Sequence, residues 1–563
     1  MIQMMRRIWR IVLCTLWLAS AFAAPKVYLG APLRVDRDDR SIPEPKSHEV
    51  SEMYAIVYNS WLRHISPPHK ISGAMDSRAL NVNAWDEVPD SSWFANRMGR
   101  APIPYDRIAS TLAGNEPEPG AWKIWRLGNE GYTPSFYIRD SAGRRYYLKF
   151  DLPTALERNS AAERICTLIM HAAGYNVPHN SIVYFHASDL VVDEKATTRD
   201  AAGRERPMTP GDLAAAIGKL KTLPDGRFRG LASLLLPGKP VGRFAYTGLR
   251  EDDPNDIIPH QRRRELRGMR VIASWINHAD AGDKNTFDTY VTDDGRKFIR
   301  HYLIDFGSTL GSGNFINGPF RVGHEYIFDG PAIAKSFFTL GIWRRPWEVS
   351  GKIRYNEIGY FDAELFEPPH WKPNYPNLAF ERMDDGDAYW GAKIVTAFTD
   401  GLVDQLVGAG QYSSAEVAAY LRSTLKLRRD LIGRYYLDKI TPLEEFSLDG
   451  PPDSRHVRFR DLAIERSYAN GATRTYRFWW EDWNGRKLTA EVTARAAEVI
   501  PPLPMKLPDP AAPADRFGRK PVARLLIQSQ QRDGGWARPV AVIVGLPRDG
   551  RSAEILGWSH GVR

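Results

Sequence analysis

The spacing of apolar positions changes several times along the chain, and each change marks a different kind of element. From Trp122 to Phe150 short apolar runs alternate with polar residues. Gly128-Asn129-Glu130-Gly131 and Ser141-Ala142-Gly143 interrupt them, which predicts strands over Lys123–Leu127, Ser135–Arg139 and Arg145–Phe150. Between Asn159 and Ala173 the period lengthens: Ile165, Leu168, Ile169 and Ala172 recur on one side of a helix that Gly174 ends. A strand over Ser181–Ala187 follows. Residues 193–225 are polar and read as an insertion with a short helix, Pro210–Leu220; a strand over Arg227–Leu236 then stops at Pro237-Gly238-Lys239-Pro240. Helical spacing returns over Gln261–Asn277, Asp387–Ala409 and Ser413–Tyr436. From about Thr441 the pattern is strand-like again, over Val457–Ile464, Thr473–Trp480, Leu488–Val499, Val522–Gln528 and Pro539–Val544, as in a small β-sandwich.

The remaining stretches are less regular. Ser51–His64 reads as a helix with Met53, Ile56, Val57 and Trp61 near one face. Asn81–Arg97 is polar and turn-rich yet holds Trp85 and Trp93, so it is expected to be pinned on the core, with Asp86, Glu87 and Asp90 in capping or surface roles. Asp252, Asp253 and Asp256 read the same way. Residues 330–385, rich in Trp, Pro and Tyr, are expected to pack as irregular structure with short helices. The whole is α+β: an N-terminal extension (25–120), a strand-rich lobe with an insertion (121–240), a helical lobe (241–440) and a β-rich C-terminal domain (441–563).

The candidate chemistry is concentrated in Trp275–Gly307. His278, Asp280 and Asn285 stand in the order H-x-D-x4-N. Phe287–Val291 and Lys297–Ile304 flank an Asp-Gly turn, so a hairpin returns Asp305-Phe306-Gly307 to Asn285. Two oxygen ligands at one end of a hairpin suit a hard cation such as Mg2+. Lys149 lies in an otherwise apolar strand, and a buried ammonium needs an anion. Glu163 on the following helix is the expected partner, with Glu157 as the alternative. Asp283 and Lys284 stand three and four residues after Asp280 as further polar candidates.

This pattern resembles the catalytic loop and D-F-G motif of protein-kinase-like folds, in particular the atypical HipA-like, CotH-like, secretory-pathway and lipid kinases, over roughly residues 120–440. Ala279 replaces the arginine of H-R-D, no A-P-E follows Asp305, and Gly128–Gly131 is not G-x-G-x-x-G. The resemblance implies a two-lobed core in which Lys149, held by Glu163, grips the phosphates of ATP. Asn285 and Asp305 would hold Mg2+, and Asp280 would accept the proton of an acceptor hydroxyl. It also implies that the Gly128–Gly131 turn covers the phosphates, that backbone near Leu236 and Gly238 receives the base, and that a mobile loop after Gly307 covers the site. The implied activity is phosphotransfer to a hydroxyl of a protein, sugar or small molecule; AMP transfer fits the same motifs.

Composition narrows the setting. Hydrophobic residues make up 43% and charged residues 25% of 563, ordinary for globular protein. A formal charge of +9 admits a nucleotide ligand, and no Lys/Arg block is long enough to predict nucleic-acid binding. Met1–Ala24 combines Arg6, Arg7 and Arg10 with a short apolar run and small residues at its end, the pattern of a Sec-type signal peptide. Its three arginines, with no acid among them, take the charge from +9 to +6 on removal. The mature chain is then periplasmic or secreted, with no membrane-spanning helix and one thiol, Cys166. A bacterial envelope holds little ATP. The alternative expectation is therefore an exported pseudokinase, a scaffold whose β-domain meets envelope proteins or glycans; Trp479, Trp480 and Trp483 are expected as core and edge packing, with a sugar platform as the other reading. No G-x-S-x-G, H-E-x-x-H or zinc pattern points to a hydrolase.

Overall fold

The computed structural model describes residues 38–49, 51–62, 78–128, 133–200, 202–313, 319–451, 456–482, 485–495, 522–545 and 553–562. The segment Met1–Ala24 expected as a signal peptide, Gly131 and Trp483 lie outside the described residues.

Strands β1 (Trp122–Gly128), β2 (Ser135–Arg139), β3 (Arg145–Phe150), β4 (Asn180–Phe185), β5 (Leu190–Arg199), β6 (Glu205–Pro207) and β7 (Phe228–Leu234) form one sheet. Its order is β4-β7-β3-β2-β1-β5-β6, antiparallel throughout except for β1 beside β5. The polar run Asp193-Glu194-Lys195 hides β5 from a reading of apolar period; main-chain pairing with β1 holds it instead. Along β3, Tyr146, Leu148 and Phe150 turn into a core shared with Ile124, Phe136 and Phe228. Strand alternation therefore sends Tyr147 and Lys149 to the opposite face.

The helix Arg158–Ala173 is buried along nearly its whole length and belongs to the larger, helical core. Asp151, just past β3, starts it: its carboxylate accepts from the backbone N–H groups of Glu157, Asn159 and Ser160 at 2.8–3.0 Å and from Ser160 Oγ at 2.6 Å. Glu157 accepts the Ser413 N–H at 3.1 Å. Arg229 of β7 is 3% exposed and ties the sheet to the helical lobe. It donates to Ser160 Oγ (3.0 Å), Tyr184 Oη (2.8 Å), Gln411 O (2.8 Å) and Gly410 O (2.7 Å).

In the helical lobe, Arg264–Trp275 follows a single 3-10 turn, His260–Arg262, where one longer helix is expected. Asp387–Ala409 is two helices, Asp385–Thr396 and Asp400–Gly408, because Thr399 Oγ1 accepts the Leu402 N–H and begins a new one. Ala415–Lys439 closes the lobe. Strands β8 (Lys239–Gly242), β9 (Thr286–Asp293) and β10 (Arg296–Leu303) form a second sheet in the order β10-β9-β8. The β9–β10 loop is Asp294-Gly295 with φ of 48° and 72°, left-handed at both positions as a two-residue hairpin requires.

The C-terminal part pairs β11 (Leu443–Asp449) with β12 (His456–Asp461). It packs them on a five-stranded antiparallel sheet of β13 (Thr475–Glu481), β14 (Val492–Arg495), β15 (Val522–Ser529), β16 (Val540–Gly545) and β17 (Glu554–Ser559), ordered β14-β13-β15-β16-β17. The strand expected to reach Ile464 stops at Asp461, whose carboxylate caps the short helix Leu462–Glu465. Trp479 and Trp480 are buried, so neither offers a ring to a glycan.

Trp93 is buried, stacked 3.6 Å from the His301 ring of β10 and 4.4 Å from the Arg263 guanidinium. Asp86 pairs with Arg264 at 2.7 Å and with His560 at 2.8 Å. In contrast, Met53, Val57 and Trp61 on Glu52–Leu62 are exposed, where a buried face is expected.

Truncating Arg229 removes the donor to the buried Gly410 carbonyl and to the Gln411 carbonyl. Arg229→Ala is expected to destabilise the chain by roughly 3 kcal/mol, read as a lower urea midpoint. An unchanged midpoint would show that the two lobes do not depend on this clamp.

Candidate active site

Lys149 leaves β3 on the face turned away from the small core, and two carboxylates meet it. Its Nζ lies 3.0 Å from Glu163 Oε2 and 2.9 Å from Asp305 Oδ1. Glu163 comes from the clamped helix and also accepts from Asn180 Nδ2 at 3.3 Å. Asp305 comes from the end of β10, where the Ile304 N–H donates to Asn285 O at 2.9 Å and holds the two ends of the hairpin together. Asp305 has φ 61°, a left-handed conformation uncommon for a residue with a side chain. Gly307 has a packing reason to lack one: a Cβ there would sit 3.1 Å from Glu163 Oε2. Its carbonyl accepts from Asn159 Nδ2 at 2.8 Å and Ser312 Oγ at 2.6 Å, which joins the segment to the helix carrying Glu163.

Burial opposes the Lys149 charge, but Asp305 and Glu163 outweigh it and hold the ammonium above the ordinary lysine range. Lys149 in turn holds the Asp305 carboxyl below its usual value. Burial pushes Glu163 up. Burial likewise raises Asp280, against Lys284 Nζ at 3.2 Å and the amide of Asn285. Asn285 Nδ2 donates to Asp280 O at 2.8 Å and to Asp280 Oδ2 at 3.1 Å. Asn374 Nδ2 stands 3.4 Å from Asp280 Oδ1.

Lys149, Glu163, Asp280 and Asp305 line one cavity of about 370 Å³, with Tyr147 and Ser135 on another wall. That size is within the range of small-molecule sites. The other candidate positions lie elsewhere. Asn285 is buried beside Asp280 and not among the lining residues. Asp283 accepts the Tyr246 N–H at 3.0 Å, which ties it into the backbone. Gly128, Leu236 and Gly238 do not line the cavity, and Gly131 is outside the described residues. Gly128 packs on Ser135, whose Oγ would be 2.4 Å from a Cβ at that position. Gly238 has φ +87° and would clash with Tyr290 O, so its glycine serves the join between β7 and β8. Past Gly307 the described residues are packed: Leu310 is 1% exposed, where a mobile cover is expected.

Asn159, Asn180, Ser312 and Asn374 complete the site, and their sequence neighbourhoods carry no signal. Each is a single polar residue in an unrelated segment, brought in only by the fold.

Among the described residues no three His, Cys, Asp or Glu side chains are arranged to cage a metal. Mg2+ is commonly held by one or two carboxylates together with phosphates and water. The Asp305 side chain, 54% exposed and lining the cavity, suits that mode; the amide of Asn285 is engaged by Asp280.

No protein-family model matches the chain, and no curated protein matches it. Among solved structures, it is similar to a crystal structure of the Golgi casein kinase at 12% identity and a TM-score of 0.24, over 65% of this chain and 97% of that one. A second structure, the Golgi casein kinase with Mn/ADP bound, matches at 11% identity with the same coverage and TM-score. Overlaps this loose fix no residue correspondence, and the geometry around Lys149 stands without them.

His278 is buried with its ring 5.4 Å from Phe306, and burial lowers it to about 4 despite the Asp305 carboxylate. The folded chain therefore binds this proton less readily than the unfolded one. Its contribution to stability is complete above the unfolded value near 6.5 and is lost as pH falls toward 4. His278→Phe is expected to flatten the fall in urea midpoint between pH 7 and pH 4.5. An equally steep fall in the variant would place the acid sensitivity elsewhere.

Proposed function

We propose that the chain transfers a phosphoryl group from a nucleoside triphosphate, bound with Mg2+, to the hydroxyl of an acceptor. The observation that carries this reading is the convergence of Lys149, Glu163, Asp280 and Asp305, from four separate elements, on one cavity. Glu163 orients the Lys149 ammonium, which then meets phosphate oxygens as a fixed positive charge. Asp305, with Asn285 beside it, would hold the metal. Bound there, the metal–triphosphate would supply the electrophilic phosphorus and the leaving diphosphate. Asp280 takes the acceptor's proton; its raised pKa keeps it a usable base, and Lys284 at 3.2 Å balances its charge. The leader-like segment Met1–Ala24 supports export as part of the same proposal, with an acceptor in the envelope or outside it.

One observation favours a second reading, a nucleotide-independent binding module. Tyr147 Oη donates to Ser135 Oγ at 2.9 Å across one wall of the cavity, and Gly128, Leu236 and Gly238 do not line it.

Thermal melting with millimolar ATP and Mg2+, together with ADP release, separates the two. The first reading expects a rise in Tm that Asp305→Ala abolishes, and release that falls by roughly 10²–10⁴ in Asp280→Asn. The second expects no rise, or one indifferent to Asp305→Ala, and no release from the wild type.

A further inference from the structure

The largest unexplained feature outside the cavity is an ordered segment that presents its apolar side chains to solvent. Gly330–Phe338 is a helix, and Pro346–Ser350 a shorter one. Between and along them Ile333, Phe337, Phe338, Leu340 and Ile342 are exposed, the last three at 82%, 88% and 84%. Side chains this apolar rarely stand together on the free surface of a soluble chain.

The exposure is built into the segment. Several of its polar contacts fasten it to its surroundings. Asp329 accepts the Ala332 N–H and pairs with Lys372 at 2.5 Å. Glu325 pairs with Arg345 at 2.9 Å and accepts from Trp347 Nε1 at 3.2 Å. Lys335 Nζ lies 4.2 Å from the Trp343 ring. Held by these contacts, the segment leaves its apolar side chains outward.

The surface continues. The Phe328 ring meets the exposed Trp61 ring edge-on at 6.0 Å. The helix Glu52–Val57 that leads to Trp61 carries exposed Met53 and Tyr54 and lies beside Asp283–Asn285 of the candidate site. The Trp61–Phe328 contact thus joins the exposed apolar side chains of Glu52–Leu62 to the segment that runs on to Ile342.

Charge indicates what covers it. Between Gly330 and Arg354 there are five basic residues, Lys335, Arg344, Arg345, Lys352 and Arg354, and one acid, Glu348; Arg345 pairs with Glu325 and Glu348 and Arg354 with Glu364, so Lys335, Arg344 and Lys352 carry the positive charge of this face. Protruding aromatic and aliphatic groups with basic residues among them form the pattern of a segment that lies in a bilayer interface and favours anionic lipid. No helix of the described residues is long and apolar enough to cross a membrane, so this contact would be peripheral.

We propose that this face docks the protein on an anionic lipid bilayer. The proposal rests on no step of the phosphotransfer reading, and its test uses no turnover. The full chain is sedimented with phosphatidylglycerol–phosphatidylcholine vesicles and with phosphatidylcholine vesicles alone. Three proteins are compared: the wild type, Phe338→Ser/Leu340→Ser/Ile342→Ser, and Lys335→Glu/Arg344→Glu. All three carry the same N-terminal segment, so differences among them report on this face, and equal Tm values establish that the variants fold. The expected result is wild-type binding to anionic vesicles that weakens at high salt and drops at least tenfold in both variants. Binding that both variants retain overturns the proposal. So does a wild type that ignores vesicles and forms a dimer that the triple variant dissociates, since a second copy would then cover the face.

Discussion

A lysine ammonium enters a protein interior only where anions receive it, and Lys149 is received by two. Glu163 is buried and fixed; Asp305 is half exposed and reaches the cavity. Three independent features must hold for this to form. β3 must alternate so that residue 149 faces away from the small core. The helix Arg158–Ala173 must present Glu163 at the right height. The β9–β10 hairpin must return Asp305 to the same point. An error in the strand or the helix would leave the buried Glu163 carboxylate unpaired, at a cost of about 3–5 kcal/mol; an error in the hairpin would remove the second anion from Lys149.

The helix carrying Glu163 is held more firmly than its own propensity would hold it. Asp151 fastens its first turn, Glu157 joins it to Ser413, and Arg229 bonds Ser160 while reaching across to Gly410 and Gln411. The Lys149–Glu163 contact is thus part of the folded core. Adjustment near the site falls to Asp305, which has fewer neighbours and an uncommon backbone conformation.

Parts of this arrangement were legible in the residues alone, for physical reasons. Asp294-Gly295 between two apolar runs specifies a two-residue turn, which fixes the register that brings Asp305 beside Asn285. A lysine inside an apolar strand demands an acid, and the next helix offered few. Asn374 and Asn180 were not legible, because a lone amide says nothing about which distant segment it will meet. Gly128 and Gly238 misled for a related reason: a glycine marks close approach or a left-handed backbone, and here the neighbours are Ser135 and Tyr290, not a ligand. The apolar positions of Glu52–Leu62 and of residues 330–353 misled in another way. Apolar content alone led both to be expected as packed, but it does not say what the side chains meet, and in the folded chain Met53, Trp61, Phe338, Leu340 and Ile342 meet solvent.

The central claim is that Lys149, Asp280, Asn285 and Asp305 form a single metal–phosphate site. The most direct measurement is anomalous diffraction from crystals soaked with Mn2+ and a non-hydrolysable ATP analogue. The account requires an anomalous peak at the Asp305 carboxylate, on the side of Asn285, with phosphate density against Lys149 Nζ. A peak outside the cavity, or analogue density that leaves the Lys149–Asp305 contact untouched, would contradict it.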